Sequence, residues 1–290
     1  MRRDDLHPPI AAVRLAVTAA IAEDVLPVGD LTASLLGQNA LARGAFIARA
    51  EGVVAGTLCV REVCSQVDAA LEVRFELEDG DEVAAGGLIG RVEGPMRSLV
   101  TAERTALNFL CHLSGVATST RRYVAAAVSG GPATVWDTRK TTPGLRALEK
   151  AAVRAGGAAN HRGSLSEGVL IKDNHLGAVS ITDAVAIARE RWPGRMVEVE
   201  CDRIDQVAEA LDAGASLVMC DNMSPGEVAS CVAMVRAHAR GKAGAVLVEV
   251  SGGVTLANVA EYARAGVDLI SVGAITHSAP ALDIGLDLEA

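Results

Sequence analysis

The segment Asp137–Arg162 carries six cations, Arg139, Lys140, Arg146, Lys150, Arg154 and Arg162, against two acids, Asp137 and Glu149. The whole chain has 27 Lys and Arg against 36 Asp and Glu, a net charge of −9, so this cationic stretch stands out from an acidic background. Further along, a series of apolar runs each ends in groups able to bind or react. "LIKDNH" delivers Lys172, Asp173 and His175, "VEVE" delivers Glu198 and Glu200, and "VMCDN" delivers Asp221. "VEVSGG" ends in Ser251, Gly252 and Gly253, and "SVGA" in Gly273. Arg139, Lys140, Arg162 and Lys172, with His161, form a cationic set suited to carboxylates and phosphates. Glu200 and Asp221, on successive runs, offer hard oxygen donors of the kind Mg²⁺ prefers. The glycines after the last two runs free backbone N–H groups to cradle a phosphate. The combination describes a site for a Mg²⁺-bound sugar phosphate and a second, anionic substrate.

Such residues work together only if the fold brings them to one place. From about residue 133 short β-branched runs alternate with helical patterns such as "TDAVAIARERW" and "RIDQVAEALDAG", as βα units require. Continuous apolar strands imply a parallel sheet buried on both faces. Six such units, with no glycine-rich dinucleotide fingerprint after the first strand, favour a closed βα barrel, in which functional groups collect at the C-terminal strand ends. The first 115 residues read as a separate α+β domain. A helix is expected over about 10–23, strands near 41–50, 51–58 and 71–77, and then a long helical run, "SLVTAERTALNFLCHLSGVATSTRRYVAAAV", with a break near Gly115. Arg104 lies at the edge of that helix's apolar stripe, and the C-terminal "PALDIGLDL" alternates like a strand returning to this domain. Taken singly, Arg139 and Lys140 would read as a solvated loop pair, and Glu198 and Glu200 as surface charges on one strand face. His7, His112 and His238 are assigned no function.

Composition narrows the class. Aromatic residues make up 2% of the chain, and no basic stripe interleaves with stacking rings, which argues against a nucleic-acid surface. Six cysteines without a CxxC pair read as buried thiols in a reducing compartment. No signal peptide and no membrane span is expected, which points to a cytoplasmic protein.

The motifs "GDLTASL", "EGVVAG", "LVTAERTALNFLCHLSGVAT", "DTRKTTPGLRALEKAAVRAGG", "NHR", "LIKDNH", "VEVE", "CDN", "SGG" and "VGAITHS…LDIGLDL", in this order, closely resemble the quinolinate phosphoribosyltransferase family. The resemblance implies an N-terminal α/β sandwich domain, residues 1–115 joined by 278–290, and an incomplete parallel βα (TIM-like) barrel over 116–277. It implies a homodimer whose sites are completed by Arg104 of the other copy. It assigns Arg139, His161, Arg162 and Lys172 to the quinolinate carboxylates, and Lys140 to the pyrophosphate and the reacting centre. Glu200 and Asp221 would hold Mg²⁺ and the ribose hydroxyls of phosphoribosyl pyrophosphate. Ser251, Gly252, Gly253, Gly273 and His277 would surround the 5′-phosphate. The chain departs from the family where Gly163 is followed by Ser164, so the loop behind Arg162 is expected to sit differently. Two other activities fit parts of the pattern: a Schiff-base enzyme using Lys172, and a non-catalytic sensor of phosphate ligands.

Overall fold

A computed structural model describes residues 6–238 and 245–289. The chain divides into two compact units: Met1–Arg121 with Lys140–Gly157 and Ile275–Ala290, and Arg122–Arg139 with Ala158–Ala274.

The first unit is built on helices α1 (Ile10–Val25), α2 (Thr57–Val67), the part of α3 (Met96–Val128) up to Arg121, and α4 (Arg146–Ala155). Strands β1 (Leu41–Ala48), β3 (Glu72–Phe75) and β5 (Leu88–Pro95) join the C-terminal strand Ile284–Glu289 in an antiparallel sheet, ordered C-terminal strand, β1, β5, β3. β2 (Gly52–Val53) and β4 (Glu82–Val83) make a small second ladder. Alternation along β1 buries Phe46 and Ala48 on one face and leaves Arg43 exposed on the other. Helix α2 begins at Thr57, inside the run expected as a strand at 51–58. Its N-terminus is held by Asp79, which accepts hydrogen bonds from the N–H groups of Gly56 (3.0 Å) and Thr57 (3.0 Å) and from Thr57 Oγ1 (2.7 Å).

Helix α3 runs without the break expected near Gly115. The glycine serves a close approach instead: a Cβ there would lie 2.2 Å from the Pro280 carbonyl oxygen. These compact units are drawn differently from the two domains expected to meet at residue 115. The first unit continues to Arg121, and it takes in Lys140–Gly157, a segment assigned from sequence to the barrel. Helix α4 packs against α1, and its buried Glu149 meets His112 of α3, both within the first unit.

The second unit is a parallel sheet of β6 (Thr134–Trp136), β7 (Val169–Ile171), β8 (Val197–Cys201), β9 (Leu217–Asp221), β10 (Leu247–Ser251) and β11 (Leu269–Ser271). Its order is β6-β11-β10-β9-β8-β7, so β6 and β7 end the ladder and the barrel is incomplete rather than closed. Its helices are α5 (Asp173–Leu176), α6 (Ile181–Arg191), α7 (Ile204–Ala213), α8 (Pro225–His238) and α9 (Val259–Arg264). Period-two alternation with the observed register puts Trp136, Glu198, Glu200, Met219, Asp221, Glu249, Ser251 and Ser271 on one face of the sheet. Among the described residues no helix is long and apolar enough to cross a membrane.

Candidate active site

The register of the parallel sheet aligns the strand ends. Ser251 lies directly opposite Asp221, and Ile171 opposite Val199, so Lys172 follows β7 beside Glu200 near the end of β8. Lys172 Nζ and the Glu200 carboxylate form an ion pair. The "KDNH" motif has a local reason: the Lys172 backbone N–H donates to His175 Nδ1 at 2.9 Å, fixing the chain where the lysine leaves the strand. "CDN" and "SGG" fit one another. Asn222 sits at φ 55°, donates its backbone N–H to the Ser251 carbonyl (3.0 Å) and donates Nδ2 to Asp221 (2.7 Å). A Cβ on Gly252, itself at φ +81°, would come within 2.3 Å of Asn222 Oδ1, so only glycine fits there.

Arg139 and Arg162, both half-buried, repel one another. Burial, and then the Arg139 charge, lower the Arg162 guanidinium from its ordinary value. Two such cations favour an anion between them. Arg162 also donates to the Gly168 carbonyl at 2.8 Å, within the loop that carries Gly163 and Ser164. Below the arginines lie three groups that sequence reasoning missed or took as exposed. Asp137, fully buried, accepts from the His161 N–H (2.9 Å) and from Asn160 Nδ2 (2.7 Å), tying "VWD" to "NHR". Glu198 and Glu249 are also fully buried, and His161 is 7% exposed between them. Burial and the Glu198 charge hold the Glu249 carboxyl well above the usual carboxylate range. Their only sequence signal is inward register with Glu200 and Ser251.

In the first unit, Lys140 is exposed and its carbonyl accepts from Thr276 Oγ1 at 2.8 Å, beside exposed His277. The turn after Lys140 is pinned by buried Glu149, which accepts from the Thr142 N–H (3.1 Å) and meets His112 Nε2 at 2.9 Å. His112, assigned no function from sequence, is thus part of the support of this turn. Arg104 is exposed on α3. A cavity of about 580 Å³ in the same unit is lined by Leu15, Asp24, Thr105, Phe109, His112 and Pro143.

The matches to known proteins cover this whole arrangement. The profile of the quinolinate phosphoribosyl transferase C-terminal domain matches residues 116–287, and that of the N-terminal domain matches residues 30–114. The chain belongs to the quinolinate phosphoribosyltransferase family. It is 42% identical over 282 residues to the carboxylating nicotinate-nucleotide pyrophosphorylase of Mycobacterium leprae, covering 96% of this chain and 97% of that protein. The nicotinate-nucleotide pyrophosphorylase structure from Francisella tularensis superposes with a TM-score of 0.90 at 38% identity, covering 98% of both chains. NadC from Streptococcus pyogenes gives 0.89 at 35% identity, covering 98% of this chain and 99% of that one.

Ten of the thirteen residues that resemblance assigns to a quinolinate phosphoribosyltransferase site lie in the barrel unit: Arg139, His161, Arg162, Lys172, Glu200, Asp221, Ser251, Gly252, Gly253 and Gly273. Arg104, Lys140 and His277 lie in the first unit. Glu200 and Asp221 are half-buried carboxylates on adjacent strands, an all-oxygen donor set that fits Mg²⁺. Among the described residues, the grouping of three converging donor side chains is a different one, His161, Glu198 and Glu249.

Proposed function

We propose that this chain transfers phosphoribosyl from phosphoribosyl pyrophosphate to quinolinate and decarboxylates the product, in the de novo route to NAD. The reading rests on three cations of the barrel unit, half-buried Arg139 and Arg162, which repel one another, and Lys172 at the end of β7, more positive charge than a single carboxylate needs. The quinolinate ring nitrogen attacks the anomeric carbon as the C–O bond to pyrophosphate breaks. Arg139, Arg162 and Lys172 hold the two carboxylates and so aim the nitrogen, while His161, whose two ring nitrogens face protein partners, supports Arg162 from behind. Glu200 and Asp221 stabilise positive charge developing on the ribose, and Lys140 balances the departing pyrophosphate. Mg²⁺ held by Glu200 and Asp221 would supply further neutralisation of that leaving group. Ser251, Gly252, Gly253, Gly273 and His277 receive the 5′-phosphate. Ribosylation makes the ring nitrogen cationic, so the adjacent C–C bond breaks with its electron pair left on the ring carbon, which then takes a proton. The products are nicotinate mononucleotide, CO₂ and pyrophosphate.

The test supplies the purified protein with phosphoribosyl pyrophosphate, Mg²⁺ and quinolinate labelled in the carboxylate next to nitrogen. Labelled CO₂ and pyrophosphate are expected in equal amounts, with nicotinate a poor substrate. Pyrophosphate without CO₂, or a preference for nicotinate, would overturn the proposal. The same reading makes the protein a cytoplasmic homodimer in which Arg104 of one copy serves the substrate held by the other. Arg104→Ala mixed with Lys140→Ala should then recover activity through heterodimers with one intact site. No recovery, with subunit exchange shown separately, would leave Arg104 to its own chain.

A further inference from the structure

The mechanism above leaves two fully buried carboxylates unused. Glu198 on β8 and Glu249 on β10 point to the same side of the sheet, with β9 between them, and converge on the His161 ring. His161 Nε2 lies 3.1 Å from Glu198 Oε2, 3.4 Å from Glu198 Oε1 and 3.9 Å from Glu249 Oε2. On the other side of the ring, the Arg162 backbone N–H donates to His161 Nδ1 at 2.6 Å. A nitrogen accepting that bond carries no proton, so the ring proton sits on Nε2 and faces the carboxylates. Trp136 packs on the ring with centroids 4.5 Å apart, and Ser271 Oγ donates to Glu249 Oε1.

We propose that Glu198 and Glu249 are positioning residues that lock the tautomer and rotation of His161, and through the Nδ1 bond fix the backbone from which Arg162 reaches quinolinate. The role within catalysis rests on the function proposed above. The geometry supports it in three ways. The two acids come from different strands and meet at one nitrogen, so they fix direction as well as charge. The contacts are buried, where an unmet ring N–H would be costly. The Nδ1 bond lets a turn of the imidazole displace its neighbour in sequence, the arginine meant for substrate. Outer partners of this kind set how well an inner ligand performs, with effects of about 10–100-fold where they have been removed. Burial and the Glu198 charge hold the Glu249 carboxyl above the usual carboxylate range, which favours its protonated form beside Glu198.

The experiment combines steady-state kinetics with nitrogen NMR of histidine-labelled protein. Glu198→Gln removes the charge and leaves the ring proton one acceptor oxygen in place of two, and Glu249→Leu removes one arm of the clamp. Each should raise the quinolinate KM about tenfold or more and leave the phosphoribosyl pyrophosphate KM within about twofold. Glu249→Gln keeps the shape and hydrogen-bonding capacity of the neutral acid and should recover most of the loss seen with Glu249→Leu. Wild-type His161 should show the Nε2–H tautomer, and Glu198→Gln should shift or broaden that signature. An unchanged quinolinate KM, or an equal rise for both substrates, would overturn the proposal. So would an Nδ1–H or rotationally averaged ring in the wild type. A wild-type protein without activity on quinolinate would instead defeat the function proposed above, while the tautomer measurement would still test the clamp.

Discussion

The antiparallel sheet of the first unit and the parallel sheet of the second both carry charged residues at alternate positions, and they use them in opposite ways. In the first, Arg91 reaches Glu289 (3.1 Å) and Glu76 (3.3 Å), while Arg43 pairs with Glu93 and Arg49 with Asp287. All these side chains are exposed to water. Such pairs are screened and give up side-chain freedom, so each adds little. In the second, Glu198 and Glu249 are fully buried on strands whose other face is also covered, and Asp137 is fully buried just after β6. There a polar group must find partners inside the protein, and it is retained for what those partners do. Charge on an open sheet serves solubility; charge on the inner face of the barrel strands organises a site.

This contrast can be tested by removing charge in each place. The largest effect is expected for Lys172→Ala. It strips one cation from the anion site and leaves Glu200 without its partner, so kcat/KM should fall about 10²–10³-fold. Near-normal turnover would detach the strand ends from the ligands. Arg139→Lys comes next, because it preserves charge and removes the fork. The quinolinate KM should rise about tenfold or more, with little change for the sugar phosphate, and equal changes in both would argue against the carboxylate assignment.

A smaller effect concerns Glu249 and pH. Its folded carboxyl binds protons more tightly than the unfolded one, so the native state holds more protons over the interval between the two values. Stability should therefore fall as pH rises from the ordinary carboxylate range toward the raised folded value. Glu249→Gln should flatten this dependence in thermal melts between about pH 5 and about pH 8. A wild-type-like slope in the variant would place the proton elsewhere. The smallest effect is expected for Arg49→Ala, which removes the partner that holds Asp287 below its ordinary value. Its melting midpoint should be indistinguishable from wild type in moderate salt, and a clear drop would blur the contrast between the two sheets.

The strand ends were legible because a parallel strand buried on both faces gives an apolar run that stops at the first polar residue. Lys172, Asp221 and Ser251 were found that way, and the observed register sets Asp221 against Ser251. Glu198 and Glu249 were not legible as buried groups. An acid at every second position looks the same on a solvated face and on an interior one, and only the neighbouring strands distinguish them. Gly115 misled for a related reason: glycine suggests a helix break unless the segment pressed against it, here Pro280, is known. Helix α2 begins at Thr57, inside the β-branched run 51–58 expected as a strand, and tertiary packing buries Thr57, Val60 and Val63 on a helix. The allegiance of α4 to the first unit was equally hidden, since its buried Glu149 acts through partners distant in sequence, among them His112.

The antiparallel pairing of β1 with residues 284–289 has a consequence for how the protein is made. Synthesis proceeds from the N-terminus, so Leu41–Ala48 leave the ribosome long before the strand that completes their sheet. Until residues 284–289 emerge, β1 has one edge paired with β5 and the other open, and Gly115 still lacks its contact with Pro280. The barrel strands from β6 to β11 have all been made by then, so that unit can mature while its companion is still unfinished. An unpaired β1 edge on a nascent chain is a natural place for a chaperone, or for another nascent copy, to attach.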